Sequence, residues 1–281
     1  APKSIAVFAN PVFDADDSRV TNPTSPNSSA QSIGRGEVFR DLGVSDGKFR
    51  ALPASRDEAE AIMAFAPWGT GLKALGFEAS RATVTNPELA QYRIVHFATH
   101  GFVDQEHPEL SGLVLSLVDK SGQSQDGYLR LHDIYNLKLS ADLVVLSACD
   151  TGLGKEIKGE GLIGLTRGFM YAGAGGVAAW LWKVDDEATA ELMRRFYEGM
   201  FKRGLAPSTA MREAQLWMWQ QQRWRAPYFW AAFIIQGRYD ETEIAAVKSS
   251  RAQWLVTSAG LFGVCLLAAC LVFGRRRSRT L

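Results

Sequence analysis

The chain has 281 residues, enough for one large α/β domain with a sizeable core, and a formal net charge of +1. Six basic residues and no acid follow position 247, so residues 1–247 hold 25 basic against 30 acidic side chains, a balance that argues against nucleic-acid binding. Of three cysteines, Cys265 and Cys270 lie in an uncharged C-terminal run, which leaves Cys149 alone in the body and excludes a disulfide framework or a Cys-based zinc site there.

The first residue is Ala1 rather than Met, which reads as a processed chain or the C-terminal piece of a longer one. Ser4–Ala9 is expected to be a strand, ended by Asn10-Pro11. Asp14–Gly36, rich in Asp, Ser, Asn and Pro, has too few apolar residues to pack and reads as a mobile loop. Leu52–Phe65 carries helical spacing behind a Ser/Asp start. A strand edge is expected over Gly76–Val84, then a short helix over Pro87–Gln91.

Tyr92–Gly101 is a β-prone run that stops at histidine and glycine. Leu113–Val118 alternates as a strand, Asp126-Gly127 marks a turn, and Leu131–Leu137 reads as a short helix. Leu143–Leu146 is four apolar residues in succession, the profile of a parallel strand covered on both faces, and it delivers Cys149 to the strand's carboxyl end, where open α/β sheets place their ligands. Helices are expected over Gly161–Tyr171, Glu187–Phe201 and Pro207–Trp224, with strands over Val177–Trp182 and Phe229–Gly237. Strand and helix in repetition predict a mostly parallel sheet with helices on both faces.

Trp254–Phe273 is twenty uncharged residues opened by Trp and followed by Arg275, Arg276, Arg277 and Arg279, and it reads as a single membrane span. The excess of arginine after the span places the tail in the cytoplasm and the body outside; a tail-anchored arrangement would reverse this. The chain thus divides into a body, 1–247, and a juxtamembrane segment, span (254–273) and basic tail, 248–281.

Cys149 is either a nucleophile or a small core residue, since a free thiol also packs as a hydrophobe. His96 and His100 stand four apart, which on one strand points both rings to one face and raises a metal site, yet no Asp, Glu or third His stands at a ligand-like offset, so no metal is expected. His100, beside Gly101 at a strand end open to solvent, is the chemical candidate; His96, in mid-strand, reads as structural. His107 and His132 suit the surface. Gly159–Gly164 matches GxGxxG in form, but the strand such a fingerprint needs immediately before it is missing.

The ordered stretches His96–Gly101, Leu110–Leu113, Leu146–Gly152, Gly159–Leu162 and Trp182–Asp186 together resemble the CHAT domain, from about Ile5 to Gly237. The family is similar to the caspase and separase cysteine peptidases, which implies a caspase-like three-layer α/β sandwich and a dyad of His100 and Cys149. It also implies tetratricopeptide (TPR) repeats upstream. The expected function is a membrane-anchored cysteine endopeptidase acting on protein or peptide substrates without a cofactor, under control of a partner or upstream domain. In that chemistry the backbone N–H groups of Gly101 and Cys149 stabilise the oxyanion. Asp150, Asp185 and Asp186 follow strand ends and could bind a basic substrate residue or cap the next helix, with Asp186 the better cap. A non-catalytic signalling or scaffold module on the same fold is the alternative, and a redox-sensing thiol a third.

Overall fold

The computed structural model describes residues 2–21, 49–102, 107–147, 160–182 and 184–237. In chain order these form β1 (Lys3–Ala9), α1 (Pro53–Met63), β2 (Gly71–Leu75), α2 (Arg81–Val84), β3 (Tyr92–Ala98), β4 (His100–Phe102), β5 (Gly112–Val114) and β6 (Tyr128–Arg130). There follow α3 (Leu131–Asn136), β7 (Leu143–Leu146), α4 (Glu160–Tyr171), β8 (Gly176–Trp180), α5 (Asp186–Arg203), α6 (Pro207–Gln220) and β9 (Phe233–Gly237).

Runs such as Ile5–Ala9 and Leu143–Leu146 are apolar at consecutive positions because both faces of their strands are covered. They belong to a six-stranded sheet in the order β2-β1-β3-β7-β8-β9, parallel except for the edge strand β9, which runs antiparallel to β8. β1 reaches β2 through α1 in one direction and β7 reaches β8 through α4 in the other. Right-handed crossovers therefore place α1 and α4 on opposite faces. Side chains agree: Phe97 stacks on Phe8 at 5.2 Å and meets Phe169 of α4 at 5.6 Å, whereas its neighbour His96 meets Tyr197 of α5, the helix that packs on α1. The result is the expected α/β arrangement of three layers, of the caspase-like kind.

Between β1 and β3 the direction of winding reverses, since β1 leads to β2 and β3 leads on toward β7. The crevice beyond the carboxyl ends of β1 and β3 is therefore the switch point at which sheets of this kind bind ligands.

Several elements depart from the sequence expectation. The strand expected over Gly76–Val84 lies earlier, at Gly71–Leu75; Gly76, at φ 57°, ends it, and Ser80 then caps α2 by accepting from the Thr83 N–H. Tyr92–Gly101 is not one strand. The chain breaks at Thr99, whose hydroxyl donates to the Val114 carbonyl, and His100 opens β4 of a separate antiparallel sheet, β4-β5-β6. Of the expected strand Leu113–Val118 only Leu113 and Val114 belong to β5, and Val118 makes an isolated bridge to Ser124; between them Ser116 turns to other loops, its N–H donating to the Ala79 carbonyl and its hydroxyl accepting from the Val12 N–H at 2.9 Å and donating to the Gly76 carbonyl at 2.8 Å. Within the expected mobile loop, residues 14–21 are held by Arg19, which bonds Asp17 and the carbonyls of Asn10 and Pro11; positions 22–36 lie outside the described residues.

Among the described residues no helix is long and apolar enough to cross a membrane, and the expected span over 254–273 lies outside them.

Helix α3 is anchored by Asp133, 8 % exposed, which accepts from the Arg81 guanidinium at 2.6 Å and from the Arg130 N–H at 3.1 Å. Burial raises its pKa, but the Arg81 bond, the Arg130 N–H and the charges of Arg81 and His132 outweigh burial and hold it below the usual carboxylate range. A depressed carboxylate stabilises the fold above its unfolded value, about 3.9, and that stabilisation is lost as pH falls through the lower folded value. Asp133→Asn is expected to cost about 1–3 kcal/mol at neutral pH and to flatten the acid limb of stability against pH. Urea unfolding at a series of pH values checks this; an unchanged acid limb would show that Asp133 contributes nothing to it.

Candidate functional site

His100 leaves the end of β3 and enters β4 at the switch point. The residue is 2 % exposed, and its ring packs against two phenylalanines that also touch each other, Phe13 at 5.0 Å and Phe49 at 5.5 Å. Nε2 stands 2.6 Å from the carbonyl oxygen of Arg50. A carbonyl can only accept, so Nε2 carries the proton of this bond, and in the neutral ring Nδ1 then carries the lone pair. The strand end expected to be open to solvent is thus covered by aromatic side chains from residues 13 and 49, remote in sequence and invisible to any local pattern.

Gly101 follows. A Cβ there would stand 3.0 Å from Trp180 at the end of β8, so the absence of a side chain lets the indole pack against this backbone. Trp180 itself is buried, and its Nε1–H has no hydrogen-bond partner among the described residues. Just past β8, Leu181 and Trp182 are exposed, and Trp182 Nε1–H donates to the Tyr228 carbonyl at 3.1 Å.

β7 is the parallel neighbour of β3, with His96 opposite Val145 and Phe97 opposite Leu146, and the Ser147 N–H extends the ladder by donating to the Phe97 carbonyl at 2.8 Å. The strands that lead to His100 and to Cys149 therefore end side by side at one edge of the sheet. Cys149 and Asp150 lie outside the described residues.

Behind these two strands sits a polar cluster that sequence reasoning missed. Glu58 of α1, buried, accepts from the Ser147 hydroxyl at 2.6 Å through Oε1. The same oxygen lies 3.2 Å from His96 Nε2, without the alignment of a hydrogen bond. His96 Nδ1 lies 2.9 Å from the Tyr197 hydroxyl. Burial first, then the negative charge of Glu58, pushes the Tyr197 hydroxyl well above the ordinary tyrosine range, so it keeps its proton. His96 and His100 thus do not share a face: they lie on different sheets, and the partners of His96 are a tyrosine and a carboxylate. One signal was available in the sequence. Glu58 stands one turn before Ile62 on the apolar stripe of α1, and a charge on such a stripe needs a buried partner.

The aspartates after β8 are also reassigned. Asp185, not Asp186, is the N-cap of α5: its Oδ1 accepts from the Ala188 N–H at 3.0 Å. Asp185→Ala is expected to cost about 1 kcal/mol in stability. A substrate role would show instead as a change in cleavage preference at unaltered melting temperature. His107 and His132 are exposed, as expected. A charged cleft lined by Arg195, Glu198, Arg203, Glu213 and Trp217 opens between α5 and α6, where Arg195 covers the Trp217 ring at 3.8 Å.

A family model described as the CHAT domain matches residues 1–238. The chain is 34 % identical over 105 residues to tetratricopeptide repeat protein 28 of Mus musculus, a match covering 37 % of this chain and 4 % of that protein. To the Homo sapiens protein of the same name it is 33 % identical over 113 residues, covering 40 % of this chain and 4 % of that one. The matched segment is thus a small part of these long relatives.

Proposed function

The chain belongs to the CHAT domain family, and on that premise we propose that it is a caspase-like cysteine endopeptidase in which His100 and Cys149 form the dyad. The observation that supports this reading is the His100–Arg50 contact: a main-chain carbonyl accepts from Nε2–H, so that Nδ1 carries the lone pair of the neutral ring, just past the end of β3, the strand beside the one that leads to Cys149. A third group that orients the base is what an activated nucleophile requires.

In this mechanism His100 Nδ1 takes the proton of the Cys149 thiol, and the thiolate attacks a peptide carbonyl. The N–H groups of Gly101 and Cys149 stabilise the resulting oxyanion. As the tetrahedral adduct collapses, His100 returns the proton to the leaving amine, and water then releases the acyl group from sulfur. No cofactor takes part. Asp150 and Asp185 are the acidic candidates for a basic substrate residue, Asp185 through the carboxylate oxygen that does not cap α5.

Residues 254–273 anchor this body to a membrane in the proposal, with the arginine-rich tail cytoplasmic and the catalytic body on the far side, supported by the uncharged twenty-residue run and its flanking charges. The name of the relatives supports an associated TPR region, which in this proposal would be the controlling element.

One observation favours a second reading, a protein-binding module without catalysis: the His100 ring is almost wholly covered. A diverse peptide library presented to the full chain decides between the two. Cleavage abolished by both Cys149→Ala and His100→Ala supports the peptidase; cleavage that survives both overturns it.

A further inference from the structure

One carboxylate oxygen touches both strands that lead to the proposed dyad. Oε1 of Glu58 accepts from Ser147, two residues before Cys149, and faces His96, four residues before His100. Resting on the peptidase reading above, we propose that Glu58 and Ser147 are positioning residues of that site. They set the relative placement of the carboxyl ends of β3 and β7, and through them the approach of Cys149 to His100.

The elements around the carboxylate allow little slack. Glu58 is fixed on α1, and the backbone of Ser147 is already tied to β3 through the Phe97 carbonyl, so its side-chain bond fixes the rotation of the strand as it leaves the sheet. A short bond from a hydroxyl to a buried carboxylate is among the stronger hydrogen bonds. The opposite side is closed by Tyr197, which holds the second nitrogen of His96 and keeps that ring turned toward Glu58. Four elements, α1, β3, β7 and α5, thus meet at one cluster directly beneath the two strand ends. An apolar cluster of the same volume would fill the space without the desolvation cost of a carboxylate, but it would not fix the side chain of residue 147 as the chain leaves the ladder. Misplacement by about 1 Å costs on the order of 100-fold in rate where two groups must meet.

The test compares the full chain with Ser147→Ala, Ser147→Thr, Glu58→Gln and, as controls, Cys149→Ala and His100→Ala. Two readouts are taken: peptide cleavage, as kcat and KM separately, and the rate of Cys149 alkylation by iodoacetamide across pH, followed by mapping of the Cys149 peptide. Melting curves confirm that each variant is folded. We expect Ser147→Ala to lower kcat by about 10- to 100-fold with KM unchanged, Ser147→Thr to restore most of it, and Glu58→Gln, which keeps an acceptor for Ser147 but loses the charge facing His96, to fall between them. The midpoint of alkylation against pH should shift in the same order.

Wild-type cleavage with wild-type kcat in both Ser147→Ala and Glu58→Gln overturns the positioning role and leaves the peptidase reading standing. Absence of cleavage together with an alkylation rate that ignores His100→Ala overturns the peptidase reading and this inference with it. Where the wild type does not cleave but His100→Ala slows alkylation, the alkylation rates of Ser147→Ala and Glu58→Gln decide: slower or pH-shifted supports positioning, unchanged overturns it.

Discussion

His100→Ala is expected to lower kcat for peptide cleavage by about 10²- to 10⁴-fold, Cys149→Ala at least as far, and the double variant to be no worse than the worse single. The reason is that in the proposed mechanism the two side chains act on one proton and one bond. Without Cys149 there is no atom to attack the carbonyl, so a positioned base has nothing to activate. Without His100 the thiol keeps its proton and the leaving amine lacks an acid. The geometry adds a condition to that proposal: the His100 that would act as base is the one with Nε2–H on the Arg50 carbonyl and its ring against Phe13 and Phe49. Steady-state kinetics on a peptide from the library screen, with kcat and KM resolved for all four proteins, gives the answer. Multiplicative losses in the double variant would show two independent contributions and break the dyad.

The largest structural effect falls at Phe97. Phe97→Ala is expected to destabilise the fold by about 3–5 kcal/mol, because the ring is fully buried and the site cannot collapse around the loss. On one side Phe97 stacks on Phe8 of β1, and on the other it meets Phe169 of α4, so truncation opens a cavity between the sheet and its helical layer. Both flanking strands are held by parallel ladders on either side, which prevents them from moving in to fill it. Urea unfolding measures the loss as a lower midpoint at unchanged slope. Trp68→Ala is the control: that indole is wholly exposed, and its removal should change stability by no more than about 0.5 kcal/mol. A loss under about 1 kcal/mol at Phe97 would mean the core does not close there.

The elements that announced themselves in the sequence were those whose local pattern and tertiary role coincide. Leu143–Leu146 and Val177–Trp180 are continuous apolar runs because parallel strands are covered on both faces, and the amphipathic stripe of α5 reflects a helix with one face on the core. The ordered motifs around His100 and the tract before Cys149 carried the family for the same reason: each is one short segment.

Relations between segments were not legible. That His100 starts a second sheet followed from a hydroxyl–carbonyl bond between Thr99 and Val114, fifteen positions apart. Which of Asp185 and Asp186 caps α5 depended on one residue of helix phase, and the two readings differ only in backbone angle. The strand placed at Gly76–Val84 failed because a glycine at positive φ and a serine cap outweigh a weak apolar pattern.

By itself, then, the sequence determined the α/β class, the parallel core strands, the chemistry available at their ends and the family. Only the tertiary structure decided what surrounds that chemistry: the Arg50 carbonyl on His100, the aromatic cover of Phe13 and Phe49, and the Glu58 oxygen shared by Ser147 and His96. The physical reason is range. Apolar periodicity is written along the chain by burial of one segment at a time, whereas a buried hydrogen bond between distant groups leaves no local trace beyond a polar residue where an apolar one would pack.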